Sequence, residues 1–142
     1  MLLDEAIKKL RAVYVSSEQA LVRAGGSRSG ASKRLYRGMK MLDVGDEFMD
    51  ERRGGTEVAP MSTTTELSTA IHYGLSPESL LFVLLVDNFM QMGADLQWVS
   101  CFPAEAEVVF PPLTYLQPTG RTQTVTLQDK TFKIVEVRPH LA

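Results

Sequence analysis

The chain has 142 residues, 44% of them hydrophobic and 23% charged, with a formal net charge of −2. That length suits one domain with its own hydrophobic core, and the small charge excludes a global pull toward nucleic acid or an anionic membrane. A single cysteine, Cys101, excludes an internal disulfide and favours a reducing, cytoplasmic setting; no apolar run approaches the ~20 residues that span a bilayer, and the amino terminus has no signal-peptide core.

In chain order, Leu3, Ala6, Ile7, Leu10 and Tyr14 recur at helical spacing with Lys8, Lys9 and Arg11 opposite, which predicts an amphipathic helix. Ser16 and Gln19 form a candidate capping box for a second helix through Leu21 and Val22. Residues 25–32 (GGSRSGAS) read as a flexible polar connection closing a helical section of residues 1–24. A short strand is expected at Leu35 and Tyr36, ending in Arg37-Gly38. After a charged, Gly-rich stretch, an extended segment leads into Met61-Ser62-Thr63-Thr64-Thr65. Residues 66–73 then read as a helix with Leu67, Ala70 and Ile71 on one face.

Beyond Pro77 the pattern turns to strands. Residues 80–86 (LLFVLLV) form the unbroken apolar run of a strand buried on both faces. Further strands are expected at 96–99, 107–110, 114–116, 122–127 and 131–137. Pro111 and Pro112 must interrupt pairing, because neither has an N–H to donate. The link Gln128-Asp129-Lys130 makes the last two strands a hairpin. Helices first and strands later predict the α+β class.

Several common sites fail. Gly25 and Gly30 have phosphate-loop spacing, but Ala31-Ser32 stands where Lys-Ser/Thr is needed. The Gly-x-Gly-x-x-Gly fingerprint is absent. His72 and His140 lie far apart and Cys101 has no cysteine partner, so no zinc cluster is expected. No nucleophile elbow is present. His72, beside Tyr73, reads as a solvated or packing residue.

Three pieces remain: Tyr36-Arg37-Gly38 at a strand end, Ser62-Thr63-Thr64 between strand and helix, and Glu105-Ala106-Glu107 entering an apolar strand. Each has an ordinary reading, respectively a surface arginine, a helix cap with Glu66 in the first turn, and a solvated strand face. Glu107, however, heads the apolar run Val108-Val109-Phe110, so it is expected to be half-buried. If Ala106 is extended, Glu105 and Glu107 share a face and point into one cleft. Such a pair suits a site where positive charge is held or generated.

In this order the pieces resemble the Arg / Ser-Thr-Ser / Glu-x-Glu class of mono-ADP-ribosyltransferases, shared by vertebrate ecto-enzymes and several bacterial toxins. The resemblance runs from Leu35 to about Leu116. It is best over Phe102-Pro103-Ala104-Glu105-Ala106-Glu107-Val108-Val109-Phe110-Pro111-Pro112, which is similar to the family's toxin-turn loop, catalytic strand and closing prolines. The stretch Ala59-Pro60-Met61-Ser62-Thr63-Thr64-Thr65, with Ala70 and Tyr73, is similar to its second motif and helix. Two positions depart from the pattern. Met61 stands where an aromatic is usual, and Thr64 where the motif's third serine would be.

The resemblance implies a split β-sandwich with amino-terminal helices and an NAD cleft between two sheets, residues 33–142 forming the catalytic core. It implies transfer of ADP-ribose from NAD, as substrate, to an arginine exposed on an acceptor protein, with release of nicotinamide. No metal, nucleic acid or membrane partner is expected. By resemblance Arg37 binds an NAD phosphate, which a guanidinium can grip bidentately. Gly38 lets the backbone approach the nicotinamide amide, Ser62 orients the catalytic Glu107, and Thr63 and Thr64 shape the same wall. Glu107 would stabilise an oxocarbenium-like transition state. Glu105 would hold and deprotonate the acceptor guanidinium, where asparagine-modifying members commonly carry glutamine. Phe102 and Trp98 would form an aromatic lip facing the acceptor, Trp98 reading equally well as a core anchor. The alternatives are an NAD glycohydrolase with water as acceptor, a non-catalytic module of the same fold that binds NAD or a partner, and a plain β-rich interaction domain.

Overall fold

The computed structural model describes residues 5–7, 9, 12, 33–40, 45–49, 53–87, 91–95, 104, 106–127 and 129–141. Its strands are β1 (Lys33–Lys40), β2 (Gly55–Glu57), β3 (Met61–Thr64), β4 (Glu78–Val86), β5 (Ala94–Asp95), β6 (Glu107–Phe110), β7 (Thr114–Leu127) and β8 (Lys130–His140). Two short helices, α1 (Asp46–Met49) and α2 (Leu67–Tyr73), lie between them. Residues 5–7, 9 and 12 are also helical, and Ile7 is buried against Ala94 and Val109. The second amino-terminal helix, the connection 25–32 and the strand at 96–99 fall outside the described residues, as does Cys101.

The strands run in the order β2-β7-β8-β4-β1-β3-β6-β5. β4 holds the interior because it is apolar on both faces: Leu80, Leu81, Phe82, Leu84 and Val86 are all buried. It pairs antiparallel with β1 at eight positions, from Lys33↔Val86 to Lys40↔Ser79. On its other edge it runs parallel to β8, from Glu78↔Thr131 to Leu84↔Val137.

Between β1 and β3 the register holds one pair, Tyr36↔Thr64. The sheet divides at this seam into a block β2-β7-β8-β4-β1 and a block β3-β6-β5. Leu35, Leu84, Leu116 and Val135 of the first block share a single core with Met61, Val108 and Phe110 of the second. The two blocks thus share one core within an open mixed sheet of the α+β class expected, with one pair preserving continuity at the seam.

Several boundaries differ from the sequence expectation. β1 continues to Lys40, so Arg37 and Gly38 lie inside the strand rather than at its end; the long β4 ladder carries it on. The two strands expected at 114–116 and 122–127 are one, β7, whose register against β8 shifts between Pro118 and Thr122. On α2 only Ala70 of the expected apolar face is buried, whereas Leu67 and Ile71 are 42% and 36% exposed. The helix meets β1 through its backbone, which leaves no room for large side chains between them. The prolines act as expected: β6 stops at Phe110, and Leu113, at φ 65°, donates its N–H to Glu57 O at 2.8 Å. β7 and β8 form the expected hairpin, with Asp129 left-handed in the turn at φ 66°.

Candidate active site

The seam is where the polar residues gather. In the β3/β6 ladder Thr64 lies opposite Glu107 and Ser62 opposite Val109. Ser62 and Glu107 therefore share a face as diagonal neighbours. Ser62 Oγ donates to Glu107 Oε1 at 2.6 Å, the length of a hydroxyl bonded to an ionised carboxylate. From the other side of the seam, Arg37 Nη1 donates to the Ser62 carbonyl oxygen at 3.1 Å. Adjacent strands β1, β3 and β6 thus carry Arg37, Ser62 and Glu107 in one connected line, across sequence separations of 25 and 45 residues.

Arg37 keeps something in reserve. Its Nε is buried and has no hydrogen-bond partner among the described residues. A buried N–H of a cation left unpaired is costly, and an anionic ligand would satisfy it. The three residues line a cleft of about 370 Å³ together with Tyr36, Thr63 and Thr64. That volume lies within the range of small-molecule sites. α2 closes one wall with Thr69, Ala70 and Tyr73. Thr69 escaped the sequence reading, although its spacing of four from Tyr73 puts both on one helical face.

Other expected site residues line the cleft and also tie the fold together. Thr63 is buried and spends its hydroxyl proton on Val108 O at 2.7 Å, tying β3 to β6. Thr64 Oγ1 accepts the Glu66 N–H at 3.0 Å, so the hydroxyl expected to cap α2 sits two residues before the N-cap, Glu66. Gly38 lines the cleft as well, and its lack of a side chain has a further structural reason. A Cβ there would stand 1.9 Å from Ala70 O and 3.0 Å from Gly74 N, so the space is occupied by the backbone of α2.

Ala106 is not extended. Its φ of 48° is left-handed, and its carbonyl accepts the Thr65 N–H at 3.3 Å. The argument that residues 105 and 107 share a strand face therefore lapses, because β6 begins only at Glu107. Glu105, Phe102 and Trp98 fall outside the described residues. His72 is exposed and edge-on to Tyr73, their ring centroids 6.1 Å apart, as a solvated residue would be. Among the described residues no three His, Cys, Asp or Glu side chains group as a metal site, and no helix is long and apolar enough to cross a membrane.

Chemically, the arrangement can grip an anion at Arg37. One strand further along, it can accept a hydroxyl or stabilise positive charge at a carboxylate held in place by Ser62.

No protein-family model and no curated protein sequence matches the chain. Solved structures match its fold. The ADP-ribosyltransferase HopU1 of Pseudomonas syringae pv. Tomato DC3000 superposes with a TM-score of 0.53 at 19% identity, over 75% of this chain and 46% of that one. Plx2a, an ADP-ribosyltransferase toxin from Paenibacillus larvae, gives 0.53 at 15% identity, over 87% of this chain and 67% of the toxin. C3stau2 from S. aureus, solved with NAD, gives 0.52 at 16% identity, over 80% and 65%. The chain has the ADP-ribosyltransferase fold, and it spans less than half the length of HopU1.

Proposed function

We propose that this chain cleaves NAD between ribose and nicotinamide and transfers the ADP-ribose to an arginine side chain of an acceptor protein. One observation carries the reading: Arg37, Ser62 and Glu107 are hydrogen-bonded in line along one cleft, at the seam of an ADP-ribosyltransferase fold. NAD offers what this line can hold. Its phosphates suit Arg37, whose buried Nε lacks a partner among the described residues. A ribose hydroxyl suits the carboxylate of Glu107.

As the glycosidic bond lengthens, the electron pair leaves with nicotinamide and positive charge develops on the ribose. Glu107, fixed by Ser62, would stabilise that charge without having to reorganise, an effect worth about 3–4 kcal/mol. The acceptor nitrogen then bonds to the ribose carbon and gives up a proton. Glu105 is assigned that proton, on the Glu-x-Glu spacing and the resemblance that goes with it. Exposure of Ser62 and partial exposure of Glu107 favour a second reading, in which water is the acceptor.

Incubation with NAD, with and without agmatine, separates these readings by mass spectrometry. ADP-ribosyl-agmatine is expected. Free ADP-ribose alone would make the chain a glycohydrolase, and untouched NAD would overturn the catalytic reading. Glu105→Gln should lower transfer to agmatine by on the order of 10² while cleavage to free ADP-ribose persists. If both activities fall together, Glu105 serves cleavage and the arginine assignment loses its warrant.

A further inference from the structure

β7 contains an irregularity that the cleft does not use. Between Pro118↔Val137 and Thr122↔Val135, four residues of β7 advance against two of β8. Gly120 lies in this bulge at φ 95°, a conformation that suits glycine. One flank is pinned, because Thr119 Oγ1 donates to Glu136 Oε1 at 2.8 Å and accepts the Arg121 N–H at 3.4 Å. Bulges re-aim side chains, and Arg121 lies within this one, between Pro118 and Thr122.

Arg121 lies on the edge of a cavity of about 470 Å³. Half-buried Val83 and Ile134 underlie it, and Arg34, Gln123 and Glu136 complete its walls. Arg34, Val83, Ile134 and Glu136 alternate along their strands with the core residues Leu35, Leu84, Val135 and Val137. The cavity therefore opens on the outer face of the larger block. β1 and β7 are separated there by β4 and β8, three strand spacings or roughly 14 Å, a gap that two arginine side chains can close from opposite sides.

The charges are unbalanced. The carboxylate of Glu136 is engaged by Thr119, and neither arginine side chain has an ion pair among the described residues. By contrast, Arg138 on the same face is paired with Asp87. With Glu136 counted, the two guanidiniums leave one net positive charge beside the apolar side chains of Val83 and Ile134, in a cavity of nucleotide dimensions. We infer that this cavity is a second binding site, for a small phosphorylated molecule. Arg34 and Arg121 grip the phosphate, Gln123 offers its amide, and Val83 and Ile134 carry the apolar body. The site shares no lining residue with the cleft, yet β1 serves both, with Arg34 here and Tyr36 and Arg37 there.

Titration of the full chain with AMP, and separately with inorganic phosphate, can be followed through backbone amides by NMR at low salt. Shifts are expected at residues 120–123 and 134–136, with AMP binding tighter than phosphate because of the apolar floor. Arg34→Gln and Arg121→Gln should each weaken AMP at least tenfold, Arg121→Lys less so, and added salt should weaken it further. Both arginines are exposed, so melting temperatures should not move. Arg37→Ala should leave these shifts intact. Shifts confined to the cleft and lost in Arg37→Ala would overturn the site. So would bulge shifts that survive the Arg34→Gln/Arg121→Gln double variant, or no response to millimolar AMP.

Discussion

β1 has two edges, and they are built differently. Toward β4 it is paired at eight consecutive positions, and buried Leu35 faces Leu84 across the ladder. Toward β3 it is paired once, and there the Arg37 side chain meets the Ser62 carbonyl while the Ser62 hydroxyl meets Glu107. A complete ladder satisfies the backbone and presses apolar side chains together, which is how a sheet is stabilised. An incomplete one leaves polar groups facing a cavity, where they can meet a ligand. One strand thus carries an apolar ladder on one side and a polar cleft on the other.

Substitutions can break or sharpen that division. The largest effect is expected on the β4 side. Leu84 is fully buried, so Leu84→Ala should cost about 2–5 kcal/mol in denaturant unfolding, while activity per folded molecule stays near wild type. If activity per folded molecule fell in step with stability, the two edges would not be separable. On the β3 side, Glu107→Gln should do the reverse. Nicotinamide release should fall by on the order of 10²–10³ with the melting temperature unchanged, and a rate within a few-fold of wild type would remove Glu107 from the chemistry.

Gly38 sits where the edges and α2 meet, so Gly38→Ala should blur the distinction. Its Cβ would collide with the Ala70 carbonyl, costing about 1–3 kcal/mol and weakening NAD binding as α2 retreats. An unperturbed protein would mean that α2 is free to shift. The smallest effect belongs to Ser62→Ala. Loss of one hydrogen bond to Glu107 should lower kcat roughly tenfold with little change in KM or stability, because Ser62 is exposed. A larger change in KM than in kcat would assign the hydroxyl to the substrate instead.

Features with local signals were legible beforehand. The unbroken apolar run of β4, the prolines ending β6 and the hairpin at Asp129 need only neighbouring residues to be read. Arg37, Ser62 and Glu107 were singled out through the resemblance to a known motif set, and the hydrogen bonds bring the three together. What was missed depends on distant partners. Leu67 and Ile71 have core periodicity, but the backbone contact of α2 with Gly38 turns them outward. The interval between the strands expected at 114–116 and 122–127 is bridged by β8 with a bulge. The left-handed φ of Ala106 is not written in an alanine at all; it follows from the turn that delivers Glu107 into the ladder with Thr64.

The place of β8 sets when the cleft can exist. Arg37, Ser62 and Glu107 have all been synthesised by residue 107, but β8 spans Lys130–His140 and lies inside the sheet, between β7 and β4. Until it arrives, one edge of β4 is unpaired and the core lacks Val135 and Val137. Its parallel pairing with β4 joins residues some fifty positions apart, from Glu78↔Thr131 to Leu84↔Val137, a non-local contact of the kind that forms slowly. At about 5–20 residues per second, a ribosome spends seconds extending a chain that already contains every one of these three side chains but cannot yet hold them in line. The line of Arg37, Ser62 and Glu107 is thereby complete only after β8 has closed the sheet.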